Sequence, residues 1–135
     1  MKKVILSFIP AMFLILFAVS CSKDDPATPA ATPEGKWVGT GQYGTTPGNP
    51  TYAFTVTFKA NGTVDVIGNN NVAIDTAAGT WQLVQDSVKA TYTYAAASAI
   101  YTLSGKYSAS SNVMAGTIGL GTTTTGVGIF TITKQ

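Results

Sequence analysis

Few side chains in this chain of 135 residues are equipped for chemistry. It carries eight lysines, six carboxylates and one cysteine, with neither histidine nor arginine. Without histidine, the usual general base at neutral pH and the commonest metal ligand is missing. Without arginine, so is the planar fork that grips phosphate or carboxylate through two bonds. A net charge of +2 is no basic footprint for nucleic acid. Cys21 stands alone, so it forms no internal disulfide, and no histidine is present to activate it as a nucleophile. From Gly35 onward the carboxylates are Asp65, Asp75 and Asp86. Asp65 falls on the outward face of a strand pattern, and Asp86 in a tight turn, where Asp ordinarily serves the backbone. Asp75 lies in a longer loop, where it can meet a ligand or an ion. These three make no acid–base pair, and Asn69-Asn70-Asn71 beside Asp75 does not follow a calcium-loop spacing. No Gly-x-Ser-x-Gly elbow occurs. Gly116-Thr117-Ile118-Gly119-Leu120-Gly121 leads into a strand pattern rather than a helix, which excludes a phosphate loop. The inventory predicts no catalytic residue, no metal and no cofactor: a protein that is not an enzyme.

What remains for binding is aromatic. Trp37, Tyr43, Tyr52, Trp81, Tyr92, Tyr94 and Tyr101 are the candidate ligand-binding residues, within a larger set that includes Phe54, Phe58, Tyr107 and Phe130. As core, such rings fill a domain; at a rim, tyrosines offer hydroxyls to a ligand.

The elements that must position these rings are strands. Beyond Gly35, apolar residues alternate with Thr, Ser and Lys at period two, the mark of half-buried β-structure. Tyr52, Phe54, Val56 and Phe58 share one face, and Thr55, Thr57 and Lys59 the other. Asn61-Gly62 then predicts a type I′ hairpin turn, which needs positive φ at both central residues. The same alternation predicts eight strands: 36–43, 52–60, 63–68, 79–85, 87–95, 99–108, 112–120 and 126–134. Trp81 and Leu83 fall on one face of the fourth. Short connections favour antiparallel neighbours in sequence order, and closing the meander removes its exposed edges. The predicted fold is therefore an all-β, eight-stranded antiparallel up-and-down barrel, with a β-sandwich as the alternative. The large inward side chains favour a mostly filled interior. Two longer loops, 44–51 and 68–78, together with 122–125, fall at one barrel mouth, because alternate hairpins open at the same end.

Residues 1–20 read as a signal peptide. Lys2 and Lys3 form a positive start, and the apolar stretch Val4–Val19 is shorter than the roughly 20 residues of a membrane-spanning helix. Ala18-Val19-Ser20-Cys21 resembles the lipobox of bacterial lipoproteins, which implies a thioether-linked diacylglycerol on Cys21 and an acylated (palmitate-type) amine. Two or more chains anchor a protein stably where one does not. Ser22-Lys23-Asp24-Asp25 resembles a signal that exports some lipoproteins to the cell surface. From Ser22 to Glu34 the segment SKDDPATPAATPE holds no large apolar side chain. Its prolines favour an extended spacer of at most about 40 Å. Lys2 and Lys3 carry the whole positive excess, so a chain beginning at Cys21 balances six lysines against six acids.

The domain 35–135 resembles the small bacterial lipocalin-like (calycin-type) lipoproteins. Gly35-Lys36-Trp37 matches their Gly-x-Trp opening, and Phe130-Thr131-Ile132-Thr133-Lys134 their last strand. Phe58-Lys59-Ala60-Asn61-Gly62-Thr63-Val64 and Gly79-Thr80-Trp81 fit as well. The resemblance implies that Trp37 closes one end of the core. Larger members place an arginine over that tryptophan; here only Lys134 is available to stack on it. Avidin-type barrels share the meander and the Gly-Thr-Trp opening. Together these features predict a monomeric outer-membrane lipoprotein, lipid-anchored at the periplasmic face or cell surface and contacting no nucleic acid. In one reading it takes a small apolar or amphipathic ligand at the barrel mouth. In the other it is a ligand-free envelope module that touches protein or glycan through its loops. The first requires an open cavity of a few hundred Å³ beside Tyr and Trp; a solid core would exclude it.

Overall fold

The computed structural model describes residues 32–135. The expected signal peptide, the lipidated Cys21 and the tether up to residue 31 lie outside the described residues.

Eight strands follow one another: β1 (Gly35–Tyr43), β2 (Thr51–Phe58), β3 (Thr63–Gly68), β4 (Thr76–Val84), β5 (Ser87–Tyr94), β6 (Ile100–Lys106), β7 (Val113–Leu120) and β8 (Gly126–Lys134). Each pairs antiparallel with the next, and β1 pairs with β8 from Trp37↔Lys134 to Tyr43↔Gly128, so the sheet closes on itself. The fold is thus a closed up-and-down barrel, and the sandwich alternative falls. Closure satisfies the strand edges that an open sheet leaves unpaired.

Period-two alternation decides what lies inside. Trp37, Phe54, Val56, Phe58, Val64, Val66, Val88, Tyr92, Leu103, Met114, Phe130 and Ile132 turn inward and are buried. Glycine makes room for the larger rings across the ladder: Gly39 faces Phe54, Gly79 faces Tyr92, and Gly116 faces Phe130. An eight-stranded barrel holds little more than its own side chains, and alternating small with large residues lets them fit its taper.

Two expectations change. β4 begins at Thr76 rather than 79, because Thr76, Ala77 and Ala78 already pair with Ile67, Val66 and Asp65. Small residues had blurred the alternation there. The hairpin after β2 is not type I′: only Gly62 has positive φ (79°), and Asn61 does not. Gly62 N–H donates to Lys59 O and Lys59 N–H to Thr63 O, a tight turn followed by a left-handed glycine. Leu83 does not join the core. β4 pairs with β3 only as far as Thr80↔Thr63, while its pairing with β5 continues to Val84↔Ser87. The β4–β5 hairpin therefore runs past the end of β3, leaving Leu83 and Val84 exposed.

The two ends of the barrel differ. At the end where the chain begins, Trp37 is fully buried, and its Nε1–H donates to Pro33 O at 2.7 Å. Tyr107 meets the indole edge-on, with centroids 6.3 Å apart. Lys134 Nζ lies 5.8 Å from the Trp37 ring centre and donates to Thr32 O at 2.9 Å. The expected lysine–indole stack is present, and Thr32 and Pro33 help to stopper this end. No helix of the described residues is long and apolar enough to cross a membrane.

Candidate functional site

The opposite end is open. Four connections converge there: β1–β2, β3–β4, β5–β6 and β7–β8, as the order of a meander requires. Between them is a cavity of about 380 Å³. Tyr43 from the end of β1, Tyr52 from the start of β2, Tyr92 and Tyr94 from β5, and Tyr101 from the start of β6 supply its walls. Gly68, Asn69, Ile74 and Asp75 bound it on the β3–β4 side, and Ile118 and Val127 also line it.

The rings form two groups. Tyr43 and Tyr52 lie 4.7 Å apart, centroid to centroid. Tyr92 stacks on Tyr101 at 5.9 Å with planes 15° apart, while Tyr94 stands edge-on to both, at 5.8 and 5.5 Å. Tyr52 lies across β1 above Gly41, where any side chain would collide with its ring. Its neighbour Phe54 joins this wall to the core through Phe130.

Local hydrogen bonds hold the loops in place. Asn69 and Asn70 adopt left-handed φ of 50° and 54°, which asparagine tolerates better than most residues. Gly68 N–H donates to Asp75 O and Asp75 N–H to Asn71 O, closing the β3–β4 loop. Asn69 Nδ2 donates to Asp75 Oδ2 at 3.1 Å, which fixes that carboxylate at the rim. Asn49 Nδ2 donates to Tyr43 O, bracing the end of β1. These loop bonds are made by amides and backbone, not by phenols.

Burial raises the phenol pKa values. Tyr52 is pushed up to about 12, mainly by desolvation, with Tyr43 and Tyr101 adding to the effect. Tyr92 moves up further for the same leading reason, with Tyr94, Tyr52 and Tyr101 contributing. Tyr94 also moves up, through burial first, then through Tyr52 and Asp75. At physiological pH these three are neutral hydroxyls on apolar rings.

Charge is divided between the ends. Lys36, Lys59, Lys106 and Lys134 sit at the stoppered end, and Lys89 is the third residue of β5 from that same end. Lys59 pairs with Asp65 at 2.7 Å and Lys106 with Asp86 at 2.6 Å, both in that half. Asp86, in its turn, is held chiefly by side chains. Its carboxylate accepts from Lys106 and Ser87, which hold it below the usual carboxylate range. Among the described residues, Asp75 is the only Lys, Asp or Glu at the mouth.

The seven aromatic candidates therefore divide. Tyr43, Tyr52, Tyr92, Tyr94 and Tyr101 come together around the cavity; Trp37 and Trp81 do not. Trp37 is in the stopper. Trp81 packs on Phe58 at 5.2 Å, and its Nε1–H donates to Lys59 O at the other end of the barrel. Sequence reading did not place Ile74, Ile118 or Val127 in the site. Val127 enters because the β7–β8 register shifts after Ile118, so that Ile118 faces Gly128 while Gly119 faces Gly126. Such irregularities re-aim side chains at barrel rims, and the flanking Gly126 and Gly128 were its one sequence signal. Among the described residues, no three metal-ligating side chains cluster. Compared with known proteins, the chain matches no family model and no curated protein.

Proposed function

We propose that this chain is a non-catalytic, lipid-anchored envelope protein whose lipocalin-like barrel takes a small amphipathic ligand at its tyrosine-walled mouth. The observation that carries the binding half of this reading is the cavity of about 380 Å³. It lies in the range of small-molecule sites, is lined by five tyrosines and holds a few convergent polar groups. Beneath it Phe54, Val66, Tyr92 and Phe130 are buried in one core cluster, so the ligand seats at the mouth rather than deep in the barrel. Such a ligand lays an apolar part on the rings and turns a polar part toward the phenols and Asp75. Support for the anchor comes from the sequence alone: Lys2 and Lys3, the short apolar stretch and Ala18-Val19-Ser20-Cys21.

Each half has its own test. Native mass spectrometry of protein purified from its own membranes is expected to show a co-purifying small molecule. A bare mass, together with no uptake of neutral amphiphiles by the purified protein, would overturn the ligand reading in favour of a ligand-free module. Cys21→Ala is expected to leave an unlipidated, unprocessed precursor. Processing that still proceeds and remains globomycin-sensitive would overturn the anchor.

A further inference from the structure

Taking the ligand-binding reading above as its base, we propose that the mouth is a cage for an organic ammonium group, with tyrosine faces as walls and Asp75 as counter-charge. A cation is attracted to the negative face of an aromatic ring, most strongly where water is displaced. Such rings line the mouth from two sides, Tyr43 and Tyr52 on one and Tyr92, Tyr94 and Tyr101 on the other. Asp75 lines the same cavity and is fixed there by Asn69. A Cβ placed on Gly68 would lie 3.5 Å from the Tyr94 hydroxyl and 3.6 Å from Asp75 Cβ, so the Asp75 side chain and the Tyr94 phenol border the same spot.

The charge distribution selects the sign of the ligand. All five lysines of the described residues lie in the other half of the barrel, two of them in ion pairs there. An anionic head group at the mouth would meet a carboxylate and no cation. A metal ion would find only one carboxylate where it needs several hard ligands. A bulky ammonium is satisfied by rings together with a single negative charge. Such a head group can belong to a soluble amine or to a lipid.

The test uses the purified full chain in non-ionic detergent, with choline and its uncharged carbon isostere 3,3-dimethylbutan-1-ol as probes. Calorimetric titration is expected to show choline binding at least about tenfold more tightly than the isostere, a ratio typical of a desolvated cation–aromatic site. Asp75→Asn keeps an acceptor for Asn69 and the loop it closes. It is expected to weaken choline about tenfold and leave the isostere unchanged. Tyr94→Leu is a second variant, expected to weaken choline more than the isostere. Equal affinity for both probes would overturn the ammonium proposal while leaving an amphiphile site standing. If neither probe binds and neutral amphiphiles are refused as well, both readings fall. Displacement of choline by short-chain phosphatidylcholine but not by short-chain phosphatidylglycerol would support the proposal with a lipid as source. Choline binding without such displacement would support it with a soluble source.

Discussion

Tyr52, Tyr92 and Tyr94 are buried enough that their ionisation is coupled to folding. In an unfolded chain a phenol ionises near 10.0, whereas Tyr52 in the barrel does so near 12, and Tyr92 and Tyr94 are also raised. A raised folded-state value gives stability that is complete below pH 10. Above it the unfolded state sheds protons that the barrel retains, so stability falls as pH rises from 10 toward 12. The expected outcome is a melting temperature that drops across that interval. Phenolate absorbance near 295 nm should stay incomplete until the protein unfolds; a full early rise would contradict the burial. Gly41 gives a second residue-level prediction. A methyl placed there meets the far end of the Tyr52 ring, which can swing aside, whereas a methyl at Gly116 meets the Ser104 carbonyl in the ladder. Gly41→Ala is therefore expected to weaken ligand binding with a small change in melting temperature. Gly116→Ala should cost about 1–3 kcal/mol, as other overpacked interiors do. Thermal melts and a binding titration on both variants separate the two effects.

Strands were legible wherever large side chains marked the alternation, as in Tyr52-x-Phe54-x-Val56-x-Phe58. They were less legible where glycine and alanine carried the inward positions. Ala77 and Gly79 face inward at the start of β4, yet neither is apolar enough to reveal it, so the alternation begins later than the strand. Positional order also predicted the mouth, since a meander sends alternate hairpins to one end. What no single-residue pattern encodes is pairing length and register. Trp81 and Leu83 share one face by phase, but the pairing of β4 with β3 stops at Thr80. Val127 has the wrong phase and reaches the cavity only through a shifted ladder. Trp37 shows the same limit: its type fits a ligand site, while its place in β1 makes it a stopper. Trp37→Phe removes the bond to Pro33 O and part of the packing against Tyr107 and Lys134. It is expected to cost about 1–3 kcal/mol. On a domain of this size that lowers the melting temperature by about 4–8 °C for each kcal/mol. Ligand affinity should be unchanged, because the mouth lies at the other end of the strands. Loss of binding in a folded Trp37→Phe protein would mean that the two ends are coupled.

On the scale of the whole molecule the barrel is polar in two senses. Thr32–Gly35 and the carboxy-terminal Gln135 both sit at the stoppered end, where Gln135 N–H donates to Lys36 O. The tyrosines and Asp75 sit at the other. A strand of nine residues, such as β1, spans about 30 Å when extended, and less along the axis of a tilted barrel. If lipid on Cys21 holds the chain, the tether meets the barrel at the end away from the mouth, so the mouth faces outward from the membrane. The orientation can be measured because Cys21 is the chain's one native cysteine and lipidation would consume its thiol. A new cysteine elsewhere then takes a label uniquely. Val72 is exposed on the β3–β4 loop at the mouth, and Ser110 is exposed on the β6–β7 turn at the stoppered end. With a donor fluorophore on Val72→Cys or Ser110→Cys and an acceptor in the bilayer, transfer is expected to be stronger from Ser110→Cys. Equal transfer would mean that the tether lets the barrel turn freely, and stronger transfer from Val72→Cys would place the mouth against the membrane. The exposed apolar rim of Tyr43, Val72, Ile74 and Leu120 makes that last outcome physically reasonable for an isolated barrel. Attachment at the far end works against it, so the measurement sets rim hydrophobicity directly against chain geometry.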